Sequence, residues 1–333
     1  MTRKALIIGG TGQIGVATGA ELLLRGWTVT LVHTGRRVPR NVPEGAMLAV
    51  LDRNDTSALQ AALGSGVDAL IDTMAFRGKD ARQLIGLRDL FGRHSVISSA
   101  SVYEDEAGRS IETAGTLGPP EFHGPREEDD PVLSPGPESY SSAKVELEQE
   151  LFDTPVQGSI IRPCAIHGIN SRHPREWWFV KRMLDGRKII PLAGNADARF
   201  HTSATVNIAA VIAAALDHPG QFILNAGDPD PPSVRQIGET IAAQLGWTGE
   251  FVSVPADSPV GHTPFSVPHD FTVSMTAAER LGYRPAATYV ETLVPYLEWM
   301  RANAAEWRAA FPTFGHYPSD PFDYAAEDAA LAG

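Results

Sequence analysis

The chain has 333 residues, and its 28 lysines and arginines against 40 aspartates and glutamates give a formal net charge of −12. Because such a charge repels polyanions, we expect a small-molecule substrate and no nucleic-acid partner. The single cysteine, Cys164, excludes an internal disulfide framework, and we expect no metal site. The sequence has no run of about 20 apolar residues, so no membrane span is predicted. The apolar run at 5–8 is shorter than a signal-peptide core, so we expect a cytoplasmic protein without membrane contact.

Short apolar runs alternate with helical patterns through the first half of the chain. Strands are predicted at 5–8, 28–32, 47–51, 69–72 and 95–98, and helices at 15–25, 58–63 and 80–91. This alternation predicts an α/β fold with a parallel sheet between two layers of helices. Later patterns predict strands at 158–162 and 222–225, and helices at 139–152, 176–184, 206–216, 234–245, 276–281 and 290–303.

Two segments stand apart from this pattern. Residues 105–138 are rich in proline, glycine and acids, which predicts an irregular segment, either a solvated surface loop or a loop that borders an active site. The tail after Glu306 holds six aromatic side chains, which we expect to pack on the body or at a subunit contact.

A glycine-rich turn follows the first strand and opens the first helix. Gly10, Gly12 and Gly15 fit the pattern G-x-G-x-x-G, which allows a tight turn and a close approach to a pyrophosphate. The N-terminus of the helix adds N–H donors for the phosphates. The cofactor contacts predicted here are Gly9, Thr11, Gly12, Gln13, Ile14 and Gly15.

The residues after the second strand predict which cofactor binds. An acid at this position would select NAD through the ribose 2′-OH, but the chain carries His33, Arg36 and Arg37. Two arginines favour a 2′-phosphate, so we predict NADP, with NAD as the alternative. Asp52 is placed to accept a hydrogen bond from the adenine, or else it is a capping or surface residue. Further cofactor contacts are predicted at Arg53 and Ala75.

Tyr140 and Lys144 are four residues apart and share one face of a predicted helix. A cation beside a phenol lowers the phenol pKa, so this pair predicts proton exchange with a substrate oxygen. Lys144 is also placed to hold the cofactor ribose. A third member is expected from the serines that end the fifth strand, at 98, 99 and 101.

With these motifs the chain resembles the extended short-chain dehydrogenase/reductases, the NAD-dependent epimerase/dehydratase group. The resemblance covers roughly residues 5–300. It rests on Gly9-x-x-Gly12-x-x-Gly15, on residues 98–103, on Tyr140-x-x-x-Lys144 and on residues 162–168. It implies a Rossmann doubly wound parallel sheet, Tyr140 as the acid/base, Lys144 as its partner, Ser99 as the catalytic serine, and Pro163 beside the nicotinamide. It also implies a homodimer through the helices near 80–92 and 141–152.

The chain departs from this family at three places. Ala100 and Ser101 follow Ser99, where sugar-nucleotide dehydratases carry Asp-Glu, so elimination lacks its usual acid and base. His167 stands where a tyrosine is common, and the usual acids after Arg199 are missing. We predict substrate contacts at Ser101, His167 and Arg199. The basic cluster 172–175 either grips an anionic or aromatic part of the substrate or is a solvated turn.

Two domains are expected. An NADP-binding Rossmann domain takes residues 1–163 with a returning segment at about 200–226, and a smaller mixed α/β substrate domain takes 164–199 and 227–333. The preferred function is an NADP(H)-dependent reductase or dehydrogenase that interconverts a carbonyl and an alcohol on a sugar-derived or secondary metabolite. The alternatives are an epimerase of a sugar or sugar nucleotide with tightly bound NAD(P), and a non-catalytic cofactor- or RNA-binding protein.

Overall fold

The computed structural model describes residues 2–317 and 319–332 and contains one large sheet and two small ones. Its strands are β1 (Lys4–Ile8), β2 (Thr28–His33), β3 (Met47–Val50), β4 (Val67–Asp72), β5 (Phe91–Ile97), β6 (Gly158–Pro163), β7 (Ala165–His167), β8 (Ile189–Ala193), β9 (Thr202–Ala204), β10 (Gln221–Ala226) and β11 (Glu250–Val254). Seven parallel strands form the large sheet in the order β10-β6-β5-β4-β1-β2-β3. The predicted doubly wound Rossmann sheet is therefore confirmed.

Helices pack on both faces of this sheet and also form much of the rest of the chain. They are α1 (Gln13–Leu24), α2 (Thr56–Leu63), α3 (Gly78–Gly86), α4 (Ala114–Leu117), α5 (Tyr140–Phe152), α6 (Trp177–Leu184), α7 (Thr205–Leu216), α8 (Val234–Leu245), α9 (Thr276–Arg280), α10 (Tyr289–Ala302), α11 (Trp307–Ala310) and α12 (Tyr324–Ala332). Among the helices of the described residues, none combines the length and the apolar character that crossing a membrane requires.

Alternate residues of each central strand face opposite layers, because side chains of a strand alternate between its two faces. In β1, Ala5 and Ile7 join the core against α1 and α7, whereas Leu6 and Ile8 join the core against α2, α3 and α5. Continuous apolar strands of this kind are typical of a parallel sheet that is buried on both faces.

The predicted helix at 80–91 differs from the observed structure. α3 ends at Gly86, and Phe91 begins β5, where it pairs with Val67 of the neighbouring strand. The apolar residues at the end of the predicted helix therefore belong to the sheet. The short strands β7, β8, β9 and β11 were not predicted, because pieces of three to five residues carry little periodicity.

A second core joins α6, α8 and α10 to the C-terminal tail. Trp177 and Phe179 of α6 pack there with Phe311 and Phe314 of the tail, and all four are almost fully buried. The aromatic tail thus packs on the body, which was one of the two outcomes expected. Residues 205–226 return to the large sheet as α7 and β10. The division into a cofactor domain and a substrate domain, and the homodimer, stay predictions.

Candidate active site

The glycine-rich turn lies at the carboxyl edge of the large sheet, where the strand order reverses between β1 and β4. Gly9 has a φ of 72°, a conformation that favours glycine. A Cβ on Gly15 would lie 2.5 Å from the Gly9 carbonyl oxygen, and one on Gly10 would lie 2.6 Å from Cβ of Leu31. The glycines therefore let the turn close on itself. Gly12 precedes α1 as an N-cap without a side chain, which leaves room for an anion at the N–H groups of the first turn.

A cleft of about 800 Å³ opens along the carboxyl ends of β1, β2 and β3. Arg36 stands in it with 81% of its side chain exposed, 3.9 Å from the Asp52 carboxylate. Hydrogen bonds from the backbone and side chain of Asn54 hold the pKa of Asp52 below its usual value. The predicted cofactor residues that line the cleft are Gly9, Thr11, Gly12, His33, Arg36, Arg37, Asp52 and Arg53.

Two of the predicted cofactor side chains are engaged within the protein. Arg53 donates to the carboxylates of Asp72 and Asp80, at 2.9 Å each, and is only 8% exposed. Its charge is therefore neutralised, and it orders these two acids instead of offering a free cation to the cleft. Ile14, predicted as a cofactor contact, packs its side chain into the core under α1.

A second cavity, of about 480 Å³, adjoins the cleft at the N-terminus of α1. Gly12 lines the cleft, and the next residue, Gln13, lines the cavity. Ser99, Tyr140 and Pro163 also line this cavity, so the structure brings together the predicted catalytic hydroxyls and the proline expected beside the nicotinamide. Oε1 of Gln13 is buried and has no hydrogen-bond partner among the described residues, an unsatisfied acceptor that suits a bound cofactor.

The Tyr140–Lys144 pair is positioned by the start of α5. The Ser139 side chain caps the helix by accepting a first-turn backbone N–H, so Tyr140 is the first helical residue and Lys144 lies one turn further along. Nζ of Lys144 donates to the carbonyl oxygens of Ala75 and Ile97, at 2.7 and 2.8 Å. These bonds hold the ammonium 5.8 Å from the centre of the Tyr140 ring. Ala75, predicted as a cofactor contact, therefore presents its carbonyl to the lysine.

The electrostatics of this pair differ from the expectation based on spacing. Burial lowers the pKa of Lys144 to about 8. Desolvation raises the pKa of Tyr140, the neighbouring Ser99 hydroxyl lowers it, Glu112 raises it and Arg175 lowers it. Because the ammonium is bonded to backbone carbonyls, the protein alone does not depress the phenol pKa.

A chain of hydroxyls runs from the catalytic serine to a carboxylate. Oγ of Ser99 lies 2.9 Å from Oγ of Ser101, which lies 2.7 Å from Oγ of Ser141. Ser141 donates to Oε1 of Glu112 at 3.0 Å. Since Ser141 donates to the acid, Ser101 donates to Ser141 and Ser99 donates to Ser101 along the same direction. Ser101, predicted as a substrate contact, lines the cavity and also fixes the orientation of Ser99.

Glu112 comes from the irregular segment 105–138, and its presence at the cavity supports the expectation that this segment borders an active site. Sequence reasoning did not single out Glu112, because a lone acid in an acidic loop carries no spacing signal. The basic cluster 172–175 did carry a signal, and the cavity takes two residues from it, His173 and Arg175. Burial first, and the Arg175 charge second, lower the pKa of His173 to about 4, so this imidazole is neutral.

Two predicted substrate residues do not line the cavity. His167 is 1% exposed, and its Nε2 lies 2.7 Å from Oδ2 of Asp228, with the ring packed against Tyr289. It lies in the core because β7 turns this side chain inward to a buried partner. Arg199 is exposed, and the next residue, Phe200, lines the cavity in its place. Consecutive residues of an extended segment point to opposite sides, so only one of the two can reach the site.

The charges around the cleft suit a dinucleotide. Besides Arg53, the lysine and arginine side chains that line it are Arg36, Arg37, Arg77, Lys79 and Arg172. Of the acids that line it, Asp80 is paired with Arg53 and Asp52 lies near Arg36, so the remaining positive charge is available to phosphates. Within residues 2–317 and 319–332, no group of three or more histidine, cysteine or acidic side chains is placed to hold a metal ion.

The chain matches one protein family and several solved structures. A model of the NAD dependent epimerase/dehydratase family matches residues 5–227. A search of the curated proteins gives no match. A dTDP-glucose 4,6-dehydratase from Streptomyces venezuelae, solved with NAD, has a TM-score of 0.68 and 20% identity, covering 92% of this chain and 99% of its own. A UDP-glucose 4-epimerase from Thermotoga maritima, solved with UDP-glucose, has a TM-score of 0.67 and 16% identity, covering 90% of this chain and 99% of its own. At these identities the likeness concerns the fold.

Proposed function

Because the chain belongs to the NAD-dependent epimerase/dehydratase family, we propose that it is an NADP(H)-dependent reductase or dehydrogenase of a small molecule. The members of this family are enzymes that use a nicotinamide cofactor. The observation that carries the proposal is the cavity where Tyr140 and Ser99 meet the glycine-rich turn. The neighbour of Ser99 in this cavity is the Ser101 hydroxyl, where an elimination enzyme of this kind would place an acid. The site therefore suits proton exchange coupled to hydride transfer.

The glycine-rich turn and Pro163 would hold a nicotinamide cofactor, which would supply or accept the hydride at the substrate carbon. Tyr140 supplies a proton to the carbonyl oxygen on reduction and takes it back on oxidation. Ser99, whose Oγ is held by the N–H of Ser101, turns its single hydroxyl proton from Ser101 to the same oxygen as charge develops on it. Lys144, held by two backbone carbonyls, lies 5.8 Å from the centre of the Tyr140 ring and would hold the ribose of a bound cofactor.

The preference for NADP is supported by the residues after β2. Arg36 and Arg37 line the cleft where an acid would bind a ribose 2′-OH. Asp52 is engaged by Asn54 and lies near Arg36, so it does not replace that acid. A planar guanidinium is well suited to a phosphate, so the 2′-phosphate of NADP is the expected partner.

The proposal is tested by mixing the protein and NADPH with a panel of carbonyl compounds and following the NADPH absorbance at about 340 nm. Stoichiometric consumption of NADPH, lost in Tyr140→Phe by a factor of about 10² to 10⁴ in kcat, supports the reductase. Binding of NADPH by Tyr140→Phe should stay within about twofold of the parent protein, which separates lost chemistry from lost folding. Product formation without net NADPH consumption would instead indicate an epimerase, the second function that this family allows.

A further inference from the structure

The cavity contains one cationic side chain that the protein leaves without a partner. Arg175 lines the cavity together with Tyr140, and its positive charge lowers the pKa of that phenol. Its backbone is fixed just before α6, where its carbonyl accepts from the N–H of Trp178 at 3.2 Å. Among residues 2–317 and 319–332, the guanidinium makes neither an ion pair nor a side-chain hydrogen bond.

The arginines that are buried among the described residues are, by contrast, all paired with acids. Arg53 is paired with two aspartates, Arg162 donates to Glu148 at 2.6 and 3.0 Å, and Arg182 donates to Glu327 at 2.9 Å. Arg175 is partly exposed; burial lowers the pKa of its guanidinium, and the charge of Glu176 raises it. A partly desolvated cation that lines a cavity without a partner is available to an anionic group of a ligand.

The neighbouring ionisable groups form no ion pair with this charge among the described residues, although the charge of Glu176 raises the pKa of Arg175. His173 is neutral, because burial lowers its pKa to about 4. Burial raises the pKa of the adjacent Glu176, and its carboxyl group is enclosed beside the Tyr289 hydroxyl. Glu112, the acid that lines the cavity, is exposed and accepts from Ser141, without an ion pair to Arg175. Arg175 is therefore the positive charge that the cavity lining offers to an anionic group, beside the exposed acid Glu112.

The remaining walls of the cavity indicate the rest of the ligand. Apart from the serines and Tyr140, the lining is mainly apolar, with Ile111, Ile166, Phe200 and Phe271. A cavity of about 480 Å³ that also receives the nicotinamide leaves space for a compact group. A single guanidinium balances one negative charge, as a carboxylate carries, whereas a phosphate monoester carries about −1.5 to −2 and needs more donors in a desolvated site.

We propose that the substrate carries a carboxylate close to its reacting carbon, and that Arg175 binds this carboxylate through its guanidinium. The inference rests on the proposed function for the identity of the reacting carbon, but the anion site itself stands on Arg175 and the cavity. It assigns the substrates to oxo or hydroxy acids with a compact apolar body. Arg175 then orients the acid so that its oxygen faces Tyr140 and Ser99.

The test is a binding experiment that requires no turnover. The full chain saturated with NADPH is titrated calorimetrically, at constant ionic strength, with acetate against acetamide and with benzoate against benzamide. Each carboxylate should bind about ten- to hundredfold more tightly than its amide, the range expected for hydrogen bonds to a charged group. Arg175→Gln should abolish this preference and Arg175→Lys should retain part of it, while Arg301→Gln, on the exposed side of α10, should leave it intact.

The possible results separate the two proposals. The carboxylate site is overturned if no carboxylate binds better than its amide, if the preference persists in Arg175→Gln, or if methyl phosphate binds more tightly than either acid. Thermal unfolding and NADPH binding of Arg175→Gln, equal to those of the parent, show that the variant is folded. If carboxylates bind through Arg175 but no oxo acid consumes NADPH, the site stands and the reductase proposal fails.

Discussion

The arginines after β2 provide a sharp test of cofactor choice. Replacing both in the double variant Arg36→Ala/Arg37→Ala removes the two guanidinium groups nearest the expected 2′-phosphate but leaves the glycine-rich turn untouched. Because 81% of the Arg36 side chain is exposed, each contact is worth about 1 kcal/mol, near the top of the range for exposed ion pairs. Two such contacts give about 2 kcal/mol, which corresponds to about a 30-fold rise in the dissociation constant of NADPH.

Cofactor affinity is measured by calorimetric titration of NADPH and NADH into the parent, the double variant and Arg301→Gln. NADH lacks the 2′-phosphate, so its dissociation constant should change by less than about twofold in the double variant. The NADPH preference of the parent should also weaken as salt rises, because exposed charge pairs are screened beyond about 10 Å at 0.1 M ionic strength. Arg301→Gln should behave as the parent with both cofactors.

Two results would refute the reasoning. If the double variant keeps the NADPH-to-NADH ratio of the parent, the arginines do not read the 2′-phosphate. If the parent itself prefers NADH, Asp52 is the residue to examine next, since it lies at the end of β3 and faces the same cleft. In that case Asp52→Asn should weaken NADH binding, whereas with an NADP site it should leave NADPH binding unchanged or tighter, because it removes a negative charge 3.9 Å from Arg36.

Three further predictions follow from the same contacts. Burial lowers the pKa of Lys144 to about 8 and raises that of Tyr140. We therefore expect kcat/KM for carbonyl reduction to fall above about pH 8, as the ammonium is lost. In Lys144→Arg, the pH–rate profile should show this fall at a higher pH. Ser101→Ala should lower kcat by about tenfold with NADPH affinity unchanged in titrations, since it releases the catalytic serine from its hydrogen-bond chain. Glu327→Gln should lower the free energy of unfolding in urea by about 3 kcal/mol, because it leaves Arg182 buried without its charged partner. An unchanged urea midpoint of unfolding would contradict this.

The fold was accessible from the sequence because its strands are strongly patterned. β1 and β4 bury the apolar runs 5–8 and 69–71, β2 buries Val29, Leu31 and Val32, and the glycine-rich turn marks where the first helix begins. The short strands outside the large sheet were harder to predict. β7 and β9 are three residues long, and their pairing joins residues that are far apart in the chain, so no local pattern indicates it.

The hydroxyls and the glycine turn of the candidate site could be predicted because their chemistry depends on fixed spacing. Tyr140 and Lys144 are one helical turn apart, and α5 keeps that spacing in three dimensions. The expected effect of the lysine on the phenol was not visible in the spacing, because it depends on two backbone carbonyls that reach Nζ from β5 and from the loop after β4. A spacing fixes which residues share a face, but the partners of that face come from the tertiary structure.

For the basic cluster 172–175 the sequence leaves a substrate contact and a solvated turn as alternatives, and the tertiary structure brings Arg175 of this cluster into the cavity. What distinguishes it from Arg53, Arg162 and Arg182 is the lack of an acidic partner, and a partner is a property of the fold. Those three arginines stabilise buried contacts within the protein, and their removal should cost stability. Arg175 has no such contact to lose, so its removal should cost ligand binding and leave the free energy of unfolding unchanged or higher. Urea unfolding of Arg175→Gln beside Glu327→Gln measures this contrast directly, and a large loss of stability in Arg175→Gln would mean that its charge serves the fold instead of the substrate.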